Sequence, residues 1–247
     1  MTFDLVSFDL DGTLVDTAAE ISEAVNRALE EHGIARRSPV EITELIGAGT
    51  QELMLKLLAR CMLEAPDLLE RIDPDDVLKS LDEHYEATTG TSAAPYPGCI
   101  EALVALKNSG VRLACVTNKE LRHALGVLQA TGLHGFFDLV IGGDSLPEKK
   151  PHGSVLDYAA NVLGVPLDRT VHVGDSATDV AAARNAGVTA WAVPYGYNAG
   201  VPVAESEPDL LFDTLTEIAD EVLAGRPDAD AMRVAPRRRA PDPRIVR

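Results

Sequence analysis

Short apolar runs that alternate with helical patterns constrain the fold of this chain more than any other feature. The runs cover Phe3–Phe8, Val111–Thr117, Asp138–Gly142, Thr170–Gly174 and Val188–Val193. Runs of this length are typical of strands buried in a parallel sheet, and their alternation with helices indicates βα units. Aromatic residues make up only 4% of the chain. We therefore expect a core of Ala, Val, Leu and Ile, which suits helices packed on a sheet.

The stretch from Val15 to Pro95 breaks this alternation, because it holds helical patterns and no convincing strand. Its first helix is predicted to begin with a capping box formed by Thr17 and Glu20 and to stop at Gly33. A later helix is predicted to begin at Asp73, which is followed by proline in the first turn. The stretch is therefore predicted to be an inserted helical domain.

The sequence thus predicts an α/β fold in which a Rossmann-like parallel sheet carries a helical insertion. The core is assigned to residues 1–14 and 96–225, and the insertion to residues 15–95. Residues 226–247 contain seven arginines and three aspartates among proline and alanine. Such a segment has little to bury, so we predict a disordered tail.

Charge and composition limit the partners that this chain can have. The formal net charge is −17, whereas nucleic-acid binding needs a basic face, so we expect no nucleic-acid partner. No apolar run approaches the roughly 20 residues that span a bilayer, and the first residues form a predicted strand rather than a signal sequence. Three widely spaced cysteines, Cys61, Cys99 and Cys115, indicate neither a disulfide framework nor a zinc site. We expect a cytoplasmic protein with no membrane partner.

Two carboxylates flank the turn at the end of the first predicted strand. Asp9 and Asp11 are one residue apart, so both side chains can face one site. Gly12 permits a tight backbone path, and Thr13 adds a hydroxyl. A bare pair of this kind is more often a capped turn with two solvated acids. The carboxyl edge of a parallel sheet, however, is where such folds bind ligands, which favours a functional interpretation here.

A second acidic pair, Asp175 and Asp179, follows another predicted strand at the same edge. Gathered carboxylates repel one another unless a proton or cation intervenes, and oxygen ligands favour Mg²⁺. Thr117 and Asn118 end a further strand, and Lys150 lies in the loop after the next one. Taken singly, these three residues are as typical of ordinary turns and solvated loops as of a phosphate site.

Together and in this order, the polar segments resemble the signature of haloacid dehalogenase superfamily phosphatases. The matching segments are Asp9–Thr17, Thr117–Asn118, Lys150–Pro151 and Gly174–Asp179. The resemblance covers roughly residues 3–220. It implies that residues 15–95 are the family's mobile cap, which closes over the site and contacts the leaving group.

The resemblance also implies a role for each site residue. Asp9 would be the nucleophile that forms an aspartyl phosphate, and Asp11 would be the general acid and base. Mg²⁺ would be bound by Asp9, by the main-chain carbonyl of Asp11 and by Asp175, with Asp179 nearby. The substrate phosphate would be held by Thr117, Asn118 and Lys150. An acid at position 11 places the chain with the phosphoryl-transfer branch rather than with the dehalogenases.

Within that superfamily, Pro194–Asn198 and Ala181–Gly187 resemble segments of phosphoglycolate phosphatases, which implies a small phosphorylated metabolite, 2-phosphoglycolate, as the substrate. One departure is His152–Gly153, where the family usually has a second proline after Lys-Pro-x. Three alternatives stay open: a mutase like β-phosphoglucomutase, a pyrophosphatase and a nucleotidase. A binding protein that kept the fold and lost the chemistry is disfavoured, because the acidic residues and Lys150 are intact.

The remaining polar and aromatic features carry less functional information. Ile46–Thr50 resembles the family's substrate-facing loop, although the residues alone fit a flexible interhelical loop equally well. The six histidines are scattered without metal-ligand spacing, so we assign them no role. Trp191 lies in a predicted strand and is expected to be part of the core.

Overall fold

The structure is a computed structural model that describes residues 2–226. Its strands are β1 Leu5–Phe8, β2 Val15–Asp16, β3 Ala94–Pro95, β4 Arg112–Val116, β5 Leu139–Ile141, β6 Thr170–Gly174, β7 Thr189–Ala192 and β8 Leu210–Leu211. Its α-helices are α1 Ala18–Glu31, α2 Pro39–Thr43, α3 Thr50–Glu64, α4 Leu68–Arg71, α5 Pro74–Thr88, α6 Cys99–Asn108, α7 Leu121–Ala130, α8 Ser154–Leu163, α9 Ala177–Ala186 and α10 Leu215–Ala224.

Six of the strands form one sheet in the order β5-β4-β1-β6-β7-β8, and every neighbouring pair is parallel. Helices α6, α7 and α10 pack on one face, and α8 and α9 pack on the other. Phe8 lies in the first apolar layer and Leu5 in the second, because successive strand residues point to opposite faces. The predicted α/β fold is confirmed. Strand β8 was not predicted, since it has only two residues and both are exposed.

Helices α1 to α5 share an apolar core of their own. Ile21, Leu29, Met54 and Tyr85 are among its buried members. The chain enters and leaves this helical region through β2 and β3, which pair antiparallel. These strands were not predicted, because a strand of only two residues shows no periodicity in the sequence.

The predicted capping box of α1 was wrong. The Thr17 hydroxyl donates to Asp11 Oδ1 at 2.6 Å and makes no cap hydrogen bond. Glu20 is buried, and its Oε2 accepts from the Gly90 amide at 2.9 Å. Both side chains therefore hydrogen-bond to residues outside the helix instead of capping it. At α5 the prediction is confirmed, since Asp73 accepts from the Asp75 amide.

Trp191 and the three cysteines lie in the apolar interior. Trp191 is buried between Phe3 and Phe212, with ring centroids 5.1 and 5.0 Å away, so its core position is confirmed. The three cysteines are buried and unpaired. Between residues 2 and 226, no helix is both long and apolar enough to cross a membrane. The predicted disordered tail lies outside the described residues, apart from Arg226, which donates to the Phe3 carbonyl.

Candidate active site

The first strand delivers Asp9 to the carboxyl edge of the sheet, where the chain turns sharply. The Leu10 carbonyl accepts from the amides of Thr13, Leu14 and Val15 and so closes the turn. Gly12 has φ +85°, and a Cβ at this position would collide with the Asp175 carboxylate. Only glycine allows this approach, so the turn places Asp175 directly beside the Asp9 loop.

Asp175 is held rigidly at the end of β6. Its Oδ1 accepts from the Thr13 hydroxyl at 3.0 Å, and its Oδ2 accepts from the Tyr197 amide at 2.6 Å. Burial raises the pKa of Asp175 well above its usual range, and the charges of Asp179 and Asp9 raise it further. The carboxylate is thus fixed in a position where its own charge is poorly compensated.

Lys150 is a buried cation between two carboxylates. Its Nζ lies 2.8 Å from Asp9 Oδ1 and 2.7 Å from Asp179 Oδ1. Burial works to lower the pKa of Lys150, but Asp179 and Asp9 raise it above its ordinary value. Burial likewise raises the pKa of Asp179, yet Lys150 and His172 outweigh it and hold that pKa far below normal. Lys150 and Asp179 are therefore an ionised pair.

Lys150 contacts two carboxylates, and the negative charge of Asp9 is less well balanced by nearby positive charge than that of Asp179. Burial raises the pKa of Asp9 to about 6, although Lys150 opposes the shift. Its Oδ1 is buried and, apart from the ion contact with Lys150, has no hydrogen-bond partner within residues 2–226. Apart from its contact with Lys150, Asp9 Oδ1 therefore keeps a lone pair free for chemistry.

Asp9, Asp175 and Asp179 form one buried acidic cluster. Each offers a carboxylate oxygen, and these atoms lie within 4.8 Å of one another. Lys150 supplies one positive charge to the three carboxylates. The buried cluster therefore has an excess of negative charge, which is energetically unfavourable unless a cation or protons neutralise it.

The Asp11 carboxylate turns away from this cluster toward the helical region. It accepts from the Thr17 hydroxyl and from Lys119 Nζ, which lies 2.9 and 3.1 Å from its two oxygens. The two acids of the motif thus have different surroundings, because Asp9 contacts Lys150 and Asp11 contacts Lys119. The expected metal contact through the main-chain carbonyl of Asp11 stays a prediction.

Thr117 and Asn118 are buried in the loop after β4. The Thr117 hydroxyl accepts from the Lys119 amide at 3.2 Å. The Asn118 side-chain amide donates to the carbonyls of Lys150 and Gly47 at 2.9 and 3.1 Å. That side chain therefore joins the loop after β4 to the loop that carries Lys150. The phosphate-binding role expected for both residues stays a prediction.

The loop Ile46–Thr50 lies against the core. Its Gly47 and Ala48 carbonyls accept from Asn118 and from Lys149 Nζ, respectively. The Thr50 hydroxyl donates to the Glu120 carboxylate at 3.1 Å. These contacts place the helical region directly over the edge that carries Asp9 and Asp175.

A cleft of about 430 Å³ opens beside this edge. Residues 44–48 line one side, and Ser176, Ala177 and Thr178 line the other. Asp9 and Asp11 are not among its lining residues. The cleft is therefore a space next to the acidic cluster rather than the reaction centre itself.

Three residues with close contacts to the site were not singled out from the sequence: Lys119, Tyr85 and His172. His172 is fully buried on β6, with Nδ1 2.7 Å from the hydroxyl of Ser7 and Nε2 3.3 Å from Asp179 Oδ1. Ser7 and His172 are register partners on adjacent strands, which explains their contact. The one readable signal for Lys119 is its place directly after Thr117 and Asn118.

His123 lies where α7 meets the helical region. Its Nδ1 is 3.1 Å from the Thr89 hydroxyl, and its ring centroid is 4.4 Å from that of Tyr85. Asp82 is 3.6 Å from its Nε2. Burial, together with the charges of Arg122 and Lys119, lowers the pKa of His123 to about 4. The ring is therefore neutral in the folded protein at pH 7.

This histidine should make stability depend on pH. In the unfolded chain a histidine has a pKa of about 6.5, so the unfolded state binds the proton first as pH falls. The stability present above pH ~6.5 is lost progressively toward pH 4, by about 1–2 kcal/mol between pH 7 and pH 5. Urea unfolding of the wild type and of His123→Gln tests this. Equal pH slopes for the two proteins would contradict the assignment.

Known proteins of similar sequence show the family to which this chain belongs. Residues 6–193 match the family model described as haloacid dehalogenase-like hydrolase. A phosphoglycolate phosphatase of Nitrosococcus oceani is 35% identical over 87% of this chain and 94% of its own length. A phosphoglycolate phosphatase of Cupriavidus necator is 40% identical over 85% of this chain and 89% of its own length.

A solved structure extends the comparison to three dimensions. The crystal structure of a predicted phosphoglycolate phosphatase from Haemophilus somnus matches with a TM-score of 0.80 and 33% identity, over 90% of this chain and 98% of the other. The chain therefore belongs to the haloacid dehalogenase-like hydrolases, and within them it is a phosphatase most like the phosphoglycolate phosphatases.

Proposed function

We propose that this phosphatase hydrolyses 2-phosphoglycolate to glycolate and phosphate, with Mg²⁺ and through an aspartyl phosphate on Asp9. The observation that carries the proposal is the separation of two carboxylates at one sheet edge. Asp9 contacts Lys150 inside the acidic cluster, whereas Asp11 contacts Lys119 outside it. One carboxylate is thus suited to attack phosphorus and the other to transfer a proton.

The donor set fits a magnesium ion. Asp9, Asp175 and Asp179 supply buried carboxylate oxygens close to one another, and hard oxygen ligands favour Mg²⁺. Burial, and after it the charges of Asp179 and Asp9, raise the pKa of Asp175, and a divalent cation at this position would favour the ionised carboxylate. We assign the metal to Asp9 and Asp175 with the Asp11 carbonyl, and Asp179 to a supporting position on Lys150. The bound ion would offset the negative charge of the phosphoryl oxygens.

The chain's own residues then carry two steps. In the first, the Asp9 carboxylate attacks phosphorus, the bond between phosphorus and the glycolate oxygen breaks, and Asp11 gives its proton to that oxygen. In the second, Asp11 takes a proton from water as the water attacks phosphorus, which releases phosphate and restores Asp9. Lys150 keeps Asp9 oriented, and its charge stabilises the charged transition state.

The other site residues are assigned to binding. We assign Thr117 and the Asn118 main-chain amide to the phosphate oxygens, since both lie at the carboxyl end of β4 beside Asp9. Residues 15–95 act as the cap that excludes water, an assignment supported by the contacts of Gly47 and Thr50 with the core. The names of the relatives support the choice of 2-phosphoglycolate.

Phosphate release with Mg²⁺ across a substrate panel tests the proposal. The panel comprises 2-phosphoglycolate, β-glucose 1-phosphate, pyrophosphate and nucleoside monophosphates. We expect kcat/KM for 2-phosphoglycolate to exceed the others by at least about 100-fold, and a chelator to abolish turnover until Mg²⁺ is restored. A flat profile would remove the named substrate and keep the phosphatase. Turnover that needs an activating sugar bisphosphate would identify a mutase instead.

A further inference from the structure

Lys119 is a second buried cation of the site, and it contacts Asp11 rather than Asp9. The Lys119 side chain is only 1% exposed, and its Nζ contacts both oxygens of Asp11 at 2.9 and 3.1 Å. Its main chain is fixed as well, since the Gly143 amide donates to the Lys119 carbonyl at 2.8 Å. An ammonium group so thoroughly removed from water is costly to keep, which points to a functional demand for its charge.

The cap completes the surroundings of this cation. Lys119 Nζ donates to the Tyr85 hydroxyl and lies 4.8 Å from the centre of the Tyr85 ring. Glu20, also from the cap, is buried nearby, and its charge interacts with Lys119. Lys119 therefore extends from the loop after β4 toward cap helices α1 and α5. The cation lies on the cap side of Asp11, the residue proposed to protonate the leaving oxygen.

Distances restrict which part of a substrate Lys119 can reach. A group that protonates the leaving oxygen must lie within about 3 Å of it. Lys119 Nζ lies 2.9 Å from Asp11 Oδ1. Lys119 Nζ is therefore no more than about 6 Å from a leaving oxygen that Asp11 contacts, and it is closer if the three atoms do not lie in a line. In 2-phosphoglycolate a single methylene separates the bridging oxygen from the carboxylate. The carboxylate is thus within reach of Lys119 when Asp11 is positioned for proton transfer.

We propose that Lys119 is the specificity-determining residue of this enzyme and binds a carboxylate on the leaving group. The inference rests on the proposed function and deepens it. The incoming carboxylate replaces Asp11 as the ion-pair partner of Lys119. Asp11 is thereby freed from Lys119 for its contact with the bridging oxygen. No covalent bond changes in this exchange of partners.

The exchange explains why an uncharged leaving group should react poorly. Without a carboxylate, both contacts of the Lys119 ammonium stay on the two oxygens of Asp11. Asp11 is then less free to contact the bridging oxygen. Specificity is therefore coupled to the positioning of Asp11 as well as to binding.

The test compares two substrates that differ only in this group: 2-phosphoglycolate and 2-hydroxyethyl phosphate. We expect wild-type kcat/KM to favour 2-phosphoglycolate by at least about 100-fold, and Lys119→Met to reduce this preference to less than about 10-fold. Lys119→Arg should retain part of it. Lys79→Met removes the same charge from the exposed side of cap helix α5 and should keep the wild-type ratio.

Inhibition by the products gives a readout that is independent of turnover. We expect Lys119→Met to raise the inhibition constant of glycolate at least about 10-fold and to leave that of phosphate within about 3-fold. Thermal melting confirms that the variant is folded, and Lys119→Gln replaces the Met variant if it is not.

The outcomes separate the two proposals. A wild type that prefers 2-phosphoglycolate, combined with a Lys119→Met variant that loses both substrates equally and binds glycolate normally, would overturn the inference alone. Lys119 would then only hold Asp11. A wild type that treats both phosphates alike would overturn the proposed substrate and, with it, the carboxylate partner.

Discussion

Asp9→Asn is expected to lower kcat by at least about 10⁴-fold while the protein remains folded. An amide cannot form the aspartyl phosphate, and no second carboxylate is placed to replace it, because Asp175 and Asp179 are held by Tyr197 and Lys150. The substitution also removes one buried negative charge that is poorly compensated. We therefore expect the melting temperature of the metal-free variant to be equal to or above that of the wild type.

Steady-state phosphate release and thermal melting measure the two effects together. Asp157→Asn is a matched control, since it makes the same change on the exposed side of α8 and should leave kcat unaltered. Activity of Asp9→Asn within 10-fold of the wild type would contradict the nucleophile assignment. A collapse of the fold would show that Asp9 is primarily structural.

Lys150→Met has the second largest expected effect, and it acts on both catalysis and stability. The substitution leaves Asp9 and Asp179 buried without the cation that lies 2.8 and 2.7 Å from them. Removing one partner of a buried ion pair costs about 3–5 kcal/mol, so the metal-free protein should lose that much free energy of unfolding. The loss of positive charge at the phosphate should lower kcat about 10³-fold.

Denaturant unfolding in the presence of a chelator isolates the stability effect from metal binding. The adjacent Lys149→Met is the matched control, because its side chain is 42% exposed and contacts the cap rather than the acidic cluster. We expect this control to change stability by less than about 1 kcal/mol. Equal stability of Lys150→Met and Lys149→Met would contradict the role given to Lys150 in the cluster.

The sheet was predictable because its physical causes are local. Strands buried on both faces must be nearly continuous apolar runs, and β1, β4, β5, β6 and β7 each lie within a predicted run. The positions of Asp9, Asp175 and Thr117 follow from the same logic, since polar residues that end parallel strands share one edge. The closeness of Asp9 and Asp175 is therefore a consequence of topology, since β1 and β6 are neighbours in the sheet.

The parts that were missed depend on contacts between distant segments. Thr17 and Glu20 have the spacing of a capping box, but Asp11 and Gly90 bind their side chains in the folded protein. Lys119 follows a strand end as many solvated lysines do, and only the docked cap shows that it is buried against Tyr85. A pattern within one helix or loop cannot report such partners.

His172 illustrates the same limit within the sheet. A histidine in an apolar run carries no sign of its neighbours, and its contact with Ser7 depends on the register between β1 and β6. Burial lowers the pKa of His172, and its Nε2 lies 3.3 Å from Asp179 Oδ1. Strand register is set by the whole sheet and not by either strand alone.

We propose that the phosphoryl group passes through a covalent bond to Asp9, and chemical trapping of that bond tests this step. The enzyme is mixed with 2-phosphoglycolate and Mg²⁺, quenched in acid within milliseconds, reduced with borohydride and mapped by peptide mass spectrometry. Borohydride converts an aspartyl phosphate to homoserine, so we expect homoserine at position 9 in the wild type and none in Asp9→Asn. Full turnover with aspartate 9 unmodified at every quench time, or homoserine at position 11, would contradict it.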